Sequence, residues 1–321
     1  MAYAQAKQVD AKIIPVIDIT PLRDGSNPKQ VAKALHLASQ NLGFIYIKGH
    51  GIHEKTIEAA RNAAYSFFHG TDEDKSSVSV SSSHRGWLQQ GGAKMRDDAK
   101  ADLKESFIWG YEDIKGTTPD DHPLRGDNQW PNFVPDMQKD AMEYFRQAHD
   151  VAHHLMRGFA IGLDLDENFF LQTSSRPLSR ASFVYYPKQP EDMGDEQFGV
   201  GPHTDFGVLT VLCQDNVGGL QVKDLNGDWI HAPPIEGTLI VNVADLLARW
   251  TNGAYKSTLH RVVNTSGRER LSLVLAFDPN PETIIDARDI FSDGTEKFEE
   301  ATTCGDYLNW RFNKAFSYRK S

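Results

Sequence analysis

The sequence predicts an α/β amino-terminal part packed on a jelly-roll β core, with a carboxy-terminal helix. Three observations predict it. The first half of the chain alternates short apolar runs with stretches of helical spacing. Beyond Pro177 the periodicity changes: short apolar runs recur at 181–186, 207–213, 219–222, 229–232, 238–243, 260–264 and 271–277, between glycine, proline and asparagine signals. Strands at such intervals indicate an antiparallel sandwich or barrel. Finally, residues 305–316 carry Tyr307, Leu308, Phe312 and Phe316 as a helical apolar stripe.

In the amino-terminal half, residues 13–19 read as a short strand, with Pro15 near its start where a missing donor is tolerated. Asn27 and Pro28 then form a helix start, with Asn27 as the cap and Pro28 at the first helical position. Val31, Ala34, Leu35 and Ala38 continue that helix, and Gly43 stops it. A second strand spans 43–51. Another helix covers 53–70, with Ile57, Ala60, Ala64, Phe67 and Phe68 inward. Between 71 and 104 the pattern fails, and this charged, serine-rich stretch reads as a loop laid over the scaffold. A strand at 105–110 re-enters the core. After a turn at 127–131, a long helix over 136–162 places Met142, Phe145, Ala152, Leu155, Met156 and Phe159 along one side. His149 and His153 lie on it at a spacing that can share a metal. No accompanying Glu or second-motif ligand appears, so they read as packing or surface histidines. The organisation is one continuous architecture in three parts: an α/β region at 13–120, a helical segment at 121–176 and a jelly-roll core with its terminal helix at 177–321.

Composition limits function. The 321 residues are enough for a large core, and 40% hydrophobic with 24% charged residues is ordinary for a globular protein. A net charge of -10 argues against a general nucleic-acid or anionic-membrane binder, which needs surplus Lys and Arg. The first residues lack an apolar signal core, and no apolar run approaches the roughly 18 residues of a membrane helix, so a cytoplasmic protein is expected. Cys213 and Cys304 read as reduced, buried thiols.

Gly201-Pro202-His203-Thr204-Asp205-Phe206-Gly207 is the stretch that carries chemistry. On an extended strand His203 and Asp205 project the same way. With one more histidine they make a two-His-one-carboxylate triad, which leaves half the coordination sphere of a non-haem Fe(II) open. His260 is the third candidate, in a different strand of the same β region. Ten residues on, Arg270 and Ser272 share a strand face. A guanidinium beside a hydroxyl suits the grip of a carboxylate.

His203-x-Asp205, His260 and Arg270-x-Ser272, in this order, resemble the signature of the Fe(II)- and 2-oxoglutarate-dependent dioxygenases, specifically the isopenicillin N synthase-like family. Ile14-Pro15-Val16-Ile17-Asp18, the 43–51 strand, Tyr185-Tyr186-Pro187, Gly218-Gly219-Leu220-Gln221-Val222 and Arg249-Trp250-Thr251-Asn252-Gly253 extend the likeness. The resemblance implies a double-stranded β-helix as the jelly-roll core and His203, Asp205 and His260 as ligands of a catalytic Fe(II). It also implies Arg270 and Ser272 on the distal carboxylate of 2-oxoglutarate, with Tyr186 assisting. Val184 stands where some relatives place an asparagine that contacts the co-substrate, and Ala244 where relatives often have glycine.

The implied reaction uses O2 and 2-oxoglutarate, releases succinate and CO2, and oxidises a C–H bond of a small molecule. Hydroxylation is the expected outcome, with desaturation or ring formation as variants of it. One alternative is a family oxidase that uses Arg270 and Ser272 for a substrate carboxylate and does not consume 2-oxoglutarate. A second is a non-catalytic jelly-roll binding protein. Candidate substrate residues are Arg85, Trp87, Trp109 and Phe277, and an Arg85 in the pocket would favour an acidic or amino-acid-like substrate.

Overall fold

The computed structural model describes residues 14–93, 100–112, 122–189, 197–291 and 300–319; Ile13, the first residue of the expected opening strand, lies outside them. The chain begins with strand β1 (Val16–Asp18), helices α1 (Thr20–Arg23) and α2 (Pro28–Asn41), and strand β2 (Phe44–Lys48). Helices α3 (Glu54–Phe68) and α4 (Asp72–Ser76), strands β3 (Gly86–Leu88) and β4 (Glu105–Gly110), and helix α5 (Met137–Gly162) follow. The β region comprises β5 (Arg180–Tyr186), β6 (Val200–His203), β7 (Leu209–Gln214), β8 (Leu220–Lys223), β9 (Trp229–His231) and β10 (Leu239–Val243). Helix α6 (Asp245–Trp250) comes next, then β11 (His260–Val262) and β12 (Arg270–Phe277). A short ladder of β13 (Ile284–Ile285) and β14 (Thr302–Thr303) precedes helix α7 (Cys304–Ala315).

Two sheets carry the architecture. The larger has the order β1-β2-β10-β7-β12-β5-β4-β3, and the smaller β6-β11-β8-β9. Strand β12 shows why the larger sheet can be covered on both faces. Its odd residues Leu271, Leu273, Leu275 and Phe277 join the core shared with helices α3 and α5. The even residues Arg270, Ser272, Val274 and Ala276 line a cavity on the opposite face, bounded there by Val200, His203, His260 and Val262 of the smaller sheet. Successive side chains on a strand alternate faces, so one strand serves a dry core and a polar chamber at once.

Helix α5 supplies the widest part of that dry core, through Tyr144, Phe145, Val151, Leu155 and Phe159. Met142, expected on the same stripe, is only partly buried at its edge. His149 and His153 face inward. The His149 ring lies 5.0 Å from that of Phe277 and its Nε2 is 3.1 Å from Ser179 Oγ, the packing role expected of it. The stretch read as a loop holds α4 and β3. Pairing with β4 makes β3 a strand, since Trp87 registers with Phe107 although its own local pattern is weak. Asn27 makes no side-chain bond to the helix backbone, and its amide donates to Gln30 instead. Among the described residues, no helix is long and apolar enough to cross a membrane.

Candidate active site

His203 and His260 are brought face to face by strand pairing. They are direct cross-strand partners in the β6–β11 ladder, and their ring centroids lie 4.2 Å apart. Asp205 sits two residues past His203, where β6 has ended and the chain turns toward β7. Its Oδ1 is 3.7 Å from His203 Nε2 and 3.6 Å from His260 Nε2. The ligand-type atoms of the three residues all lie within 4.8 Å of one another, and among the described residues they form the group of His, Cys, Asp or Glu side chains suited to a metal ion.

The surroundings prepare each atom. His203 Nδ1 is 2.8 Å from the Gly201 carbonyl, and His260 Nδ1 is 3.1 Å from that of Thr258. A carbonyl partner keeps the proton on Nδ1 and leaves the Nε2 lone pair facing the site. Burial pushes His203 far below the ordinary histidine value, so it stays neutral, as a ligand must. Asp205 is held from behind. Its Oδ2 accepts from Thr210 Oγ1 at 2.6 Å and from Asn242 Nδ2 at 2.8 Å, leaving Oδ1 toward the histidines. Burial alone would raise this carboxyl, but the neighbouring His260 and these bonds outweigh it and hold the group below the usual aspartate value. Thr210 and Asn242 are themselves cross-strand partners. Neither is apparent from motif reading, though an asparagine inside the otherwise apolar Leu239–Val243 run is a signal that could have found one of them.

The backbone next to the triad is also specified. A Cβ on Gly207 would collide with Asp278 Oδ1, which accepts from the Val208 amide at 3.0 Å. Asp278 Oδ2 in turn holds Arg180 at 2.7 Å. That close approach explains the glycine at the end of the motif.

Arg270 is buried on the cavity side of β12, 1% exposed. Its Nε donates to the Gly218 carbonyl at 2.5 Å, one Nη donates to Gln214 Oε1 at 3.3 Å, and its guanidinium lies 4.7 Å from the centre of the Tyr186 ring. Arg270 Nη1 and Ser272 Oγ are left buried with no hydrogen-bond partner. A donor pair of that kind is costly to leave unmatched, and a carboxylate placed between them would satisfy both. Tyr186, directly opposite Arg270 on β5, has its phenol pushed up to about 12 by burial and so remains a donor. The donor set therefore fits the pair of groups the sequence pointed to: two imidazoles and a carboxylate for Fe(II), and a guanidinium with a hydroxyl for the far end of a dicarboxylate. All of these residues line one cavity of about 200 Å³ between the two sheets.

The four expected substrate residues are not brought to this cavity. Trp87 donates its indole N–H to Glu105 Oε2 at 2.8 Å beneath the Lys75 ammonium. Trp109 is 0% exposed, packed 4.5 Å from the Phe183 ring in the core. Phe277 faces helix α5, and Arg85 spends its guanidinium on the carbonyls of Ser83, His84 and Leu124. In every case an adjacent residue lines the cavity instead: Leu88, Ile108, Ala276 and His84. The physical reason on the strands is parity. Arg270 and Ser272 fix the cavity face of β12 as the even one, so Phe277 must point away, and the strands paired in register with it follow the same rule. Trp109→Ala should therefore act on stability. It should cost about 3–5 kcal/mol in chemical denaturation, as for other large buried aromatics, with the KM for 2-oxoglutarate unchanged in the folded protein.

Comparison with known proteins agrees with this geometry. Residues 178–279 match the 2OG-Fe(II) oxygenase superfamily, and residues 14–133 match the family described as non-haem dioxygenase in morphine synthesis N-terminal. The 2-oxoglutarate-Fe(II) type oxidoreductase hxnY of Emericella nidulans is 34% identical over 287 residues, covering 84% of this chain and 80% of that protein. A homoarginine-6-hydroxylase of Glycine max is 33% identical over 313 residues, covering 91% and 94%. Among solved structures, a full-length Neurospora crassa protein in complex with alpha-KG and thymine superposes with a TM-score of 0.83 at 30% identity, over 96% of this chain and 98% of that one. The chain belongs to the 2OG-Fe(II) oxygenase superfamily and is an Fe(II)- and 2-oxoglutarate-dependent oxygenase.

Proposed function

We propose that this oxygenase hydroxylates a C–H bond of a small molecule, with His203, Asp205 and His260 as the iron ligands and Arg270 and Ser272 as the anchor of 2-oxoglutarate. The observation that carries this reading is the convergence, in one cavity, of three ligand atoms with two buried donors that lack partners. Hydroxylation is favoured because a relative of this length and identity is named a hydroxylase.

When bound, Fe(II) and 2-oxoglutarate supply the oxidising power, by coupling O2 reduction to decarboxylation of the keto acid. The chain's own residues then have four tasks. His203, Asp205 and His260 present three donors from one side and leave the opposite side open to the cavity. Thr210 and Asn242 hold the carboxylate so that one oxygen remains free. Arg270 and Ser272 fix the co-substrate's distal end, with Tyr186 stacked beneath the guanidinium, and this converts a flexible diacid into an oriented one. Phe206, Phe312 and Phe316 wall the chamber on the side of α7 and limit water near the reacting carbon.

The test is anaerobic. Fe(II) plus 2-oxoglutarate should give the wild type a visible charge-transfer band that His203→Ala lacks. Admission of O2 with a substrate should release succinate in step with product. A wild type without the band, or product formed without succinate, would overturn the reading.

A further inference from the structure

Six basic side chains line the cavity, and five have a use already. His203 and His260 face Asp205, and Arg270 faces the co-substrate end. Arg180 is neutralised by the buried Asp278 and lies over the Phe312 ring at 4.6 Å. His84 is packed against Phe312 and Phe316 with its Nδ1 bonded to the Tyr318 hydroxyl, and burial together with the neighbouring arginines holds it well below the ordinary histidine value. The sixth is Lys104. It lies one residue before β4, in phase with Ser106 and Ile108, and so shares their cavity-facing side. Among the described residues, no hydrogen bond or ion pair reaches its ammonium; the nearest opposing charges are Asp102 and Asp205, both beyond ion-pair contact.

The charge balance of the filled site isolates this lysine. Fe(II) contributes two positive charges and Asp205 one negative. Doubly ionised 2-oxoglutarate contributes two negative charges against the one positive charge of Arg270. Those sum to zero, and the Arg180–Asp278 pair is neutral. Asp102 lies outside the lining with one oxygen on the Gly201 amide, and makes no ion pair with Lys104. Lys104 remains as one cation at a partly buried position in a chamber whose remaining wall is apolar and aromatic apart from the uncharged side chains of Ser106, Ser182, Thr204, Thr210 and Asn242. Burial works against its charge, and a bound anion would favour it.

We infer that Lys104 is the specificity-determining residue of this oxygenase, and that the substrate class is a small monocarboxylate with a flat apolar body. The body would lie against Phe206, Phe312 and Phe316, and the carboxylate would receive a charge-assisted hydrogen bond from Lys104 Nζ. One ammonium matches one monovalent anion, and the single unspent cation favours a carboxylate over a doubly charged phosphate. This inference rests on the oxygenase reading above, because the charge count requires Fe(II) and 2-oxoglutarate in their proposed places.

The experiment uses the full chain loaded with Fe(II) and 2-oxoglutarate under argon. Binding of 3-phenylpropanoate and 4-phenylbutanoate is compared by calorimetry with binding of their primary amides. The wild type should prefer each acid to its amide by about 10- to 100-fold, the range of a hydrogen bond to a charged group. Lys104→Gln should reduce that preference to within about threefold, Lys104→Met (which keeps the packing of the stem) should do the same, and Lys104→Arg should recover most of it. Affinity for 2-oxoglutarate, read from the charge-transfer band, should be the same in all four proteins. Loss of 2-oxoglutarate affinity in the Gln and Met variants would assign Lys104 to the co-substrate and overturn the inference. So would an acid preference that survives both variants, or a wild type that shows the band but no acid preference. A wild type without the band overturns the cofactor reading itself, which separates the two failures.

Discussion

Asp205→Ala should abolish substrate-linked succinate release, lowering it by at least about 10³-fold. Residues that merely orient a metal ligand typically cost 10- to 100-fold when removed, and Asp205 is proposed as a ligand itself. The substitution also strips the acceptor from Thr210 and Asn242, which bond its Oδ2 at 2.6 and 2.8 Å, and leaves two buried polar groups unmatched. Two measurements separate metal loss from unfolding. Anaerobic titration with Fe(II) should show weakened binding, while far-UV circular dichroism should retain the wild-type spectrum. Full activity in a folded Asp205→Ala protein would remove it from the ligand set.

Arg270→Met should raise the KM for 2-oxoglutarate by about 30-fold or more. Truncating one member of a buried, hydrogen-bonded charge pair costs about 2–5 kcal/mol, much of it from stranding the other charge. The variant keeps comparable side-chain bulk and removes the unmatched Nη1 along with the contact to Gly218. Arg270→Lys should recover only part of the loss, because an ammonium cannot reproduce the planar fork that reaches Gly218, Gln214 and a carboxylate together. The effect should be confined to 2-oxoglutarate, with the KM for the oxidised substrate moving little. The reverse pattern, a raised substrate KM with 2-oxoglutarate unaffected, would favour a family oxidase that holds its substrate carboxylate here.

Much of the fold was legible in the chain because it is written in periodicity. Helix α5, strands β4, β5 and β12, and helix α7 lie within a residue or so of where apolar spacing puts them. Helix α6 carried no such signal, since its six residues are too few to display a helical stripe. It forms because its end of the chain is docked by tertiary bonds, the Asp245 and Leu246 amides reaching the carbonyls of Asp205 and Gly207. Strand β3 likewise depends on its partner β4.

By itself the sequence determined the donor types and their order: His203, Asp205 and His260, then Arg270 and Ser272. These residues have few alternative uses when combined, and strand alternation sets Arg270 and Ser272 on one face. Only the tertiary structure decided what meets them. Pairing of β6 with β11 sets the two histidines opposite each other, and pairing of β10 with β7 sets Asn242 and Thr210 behind Asp205. Register also decided the cavity wall, turning Trp87, Trp109 and Phe277 inward to the core and leaving Leu88, Ile108 and Ala276 in the chamber with Lys104. Residue type announces what a side chain can do, but a strand offers it to one face or the other, and that choice belongs to the partners the strand finds.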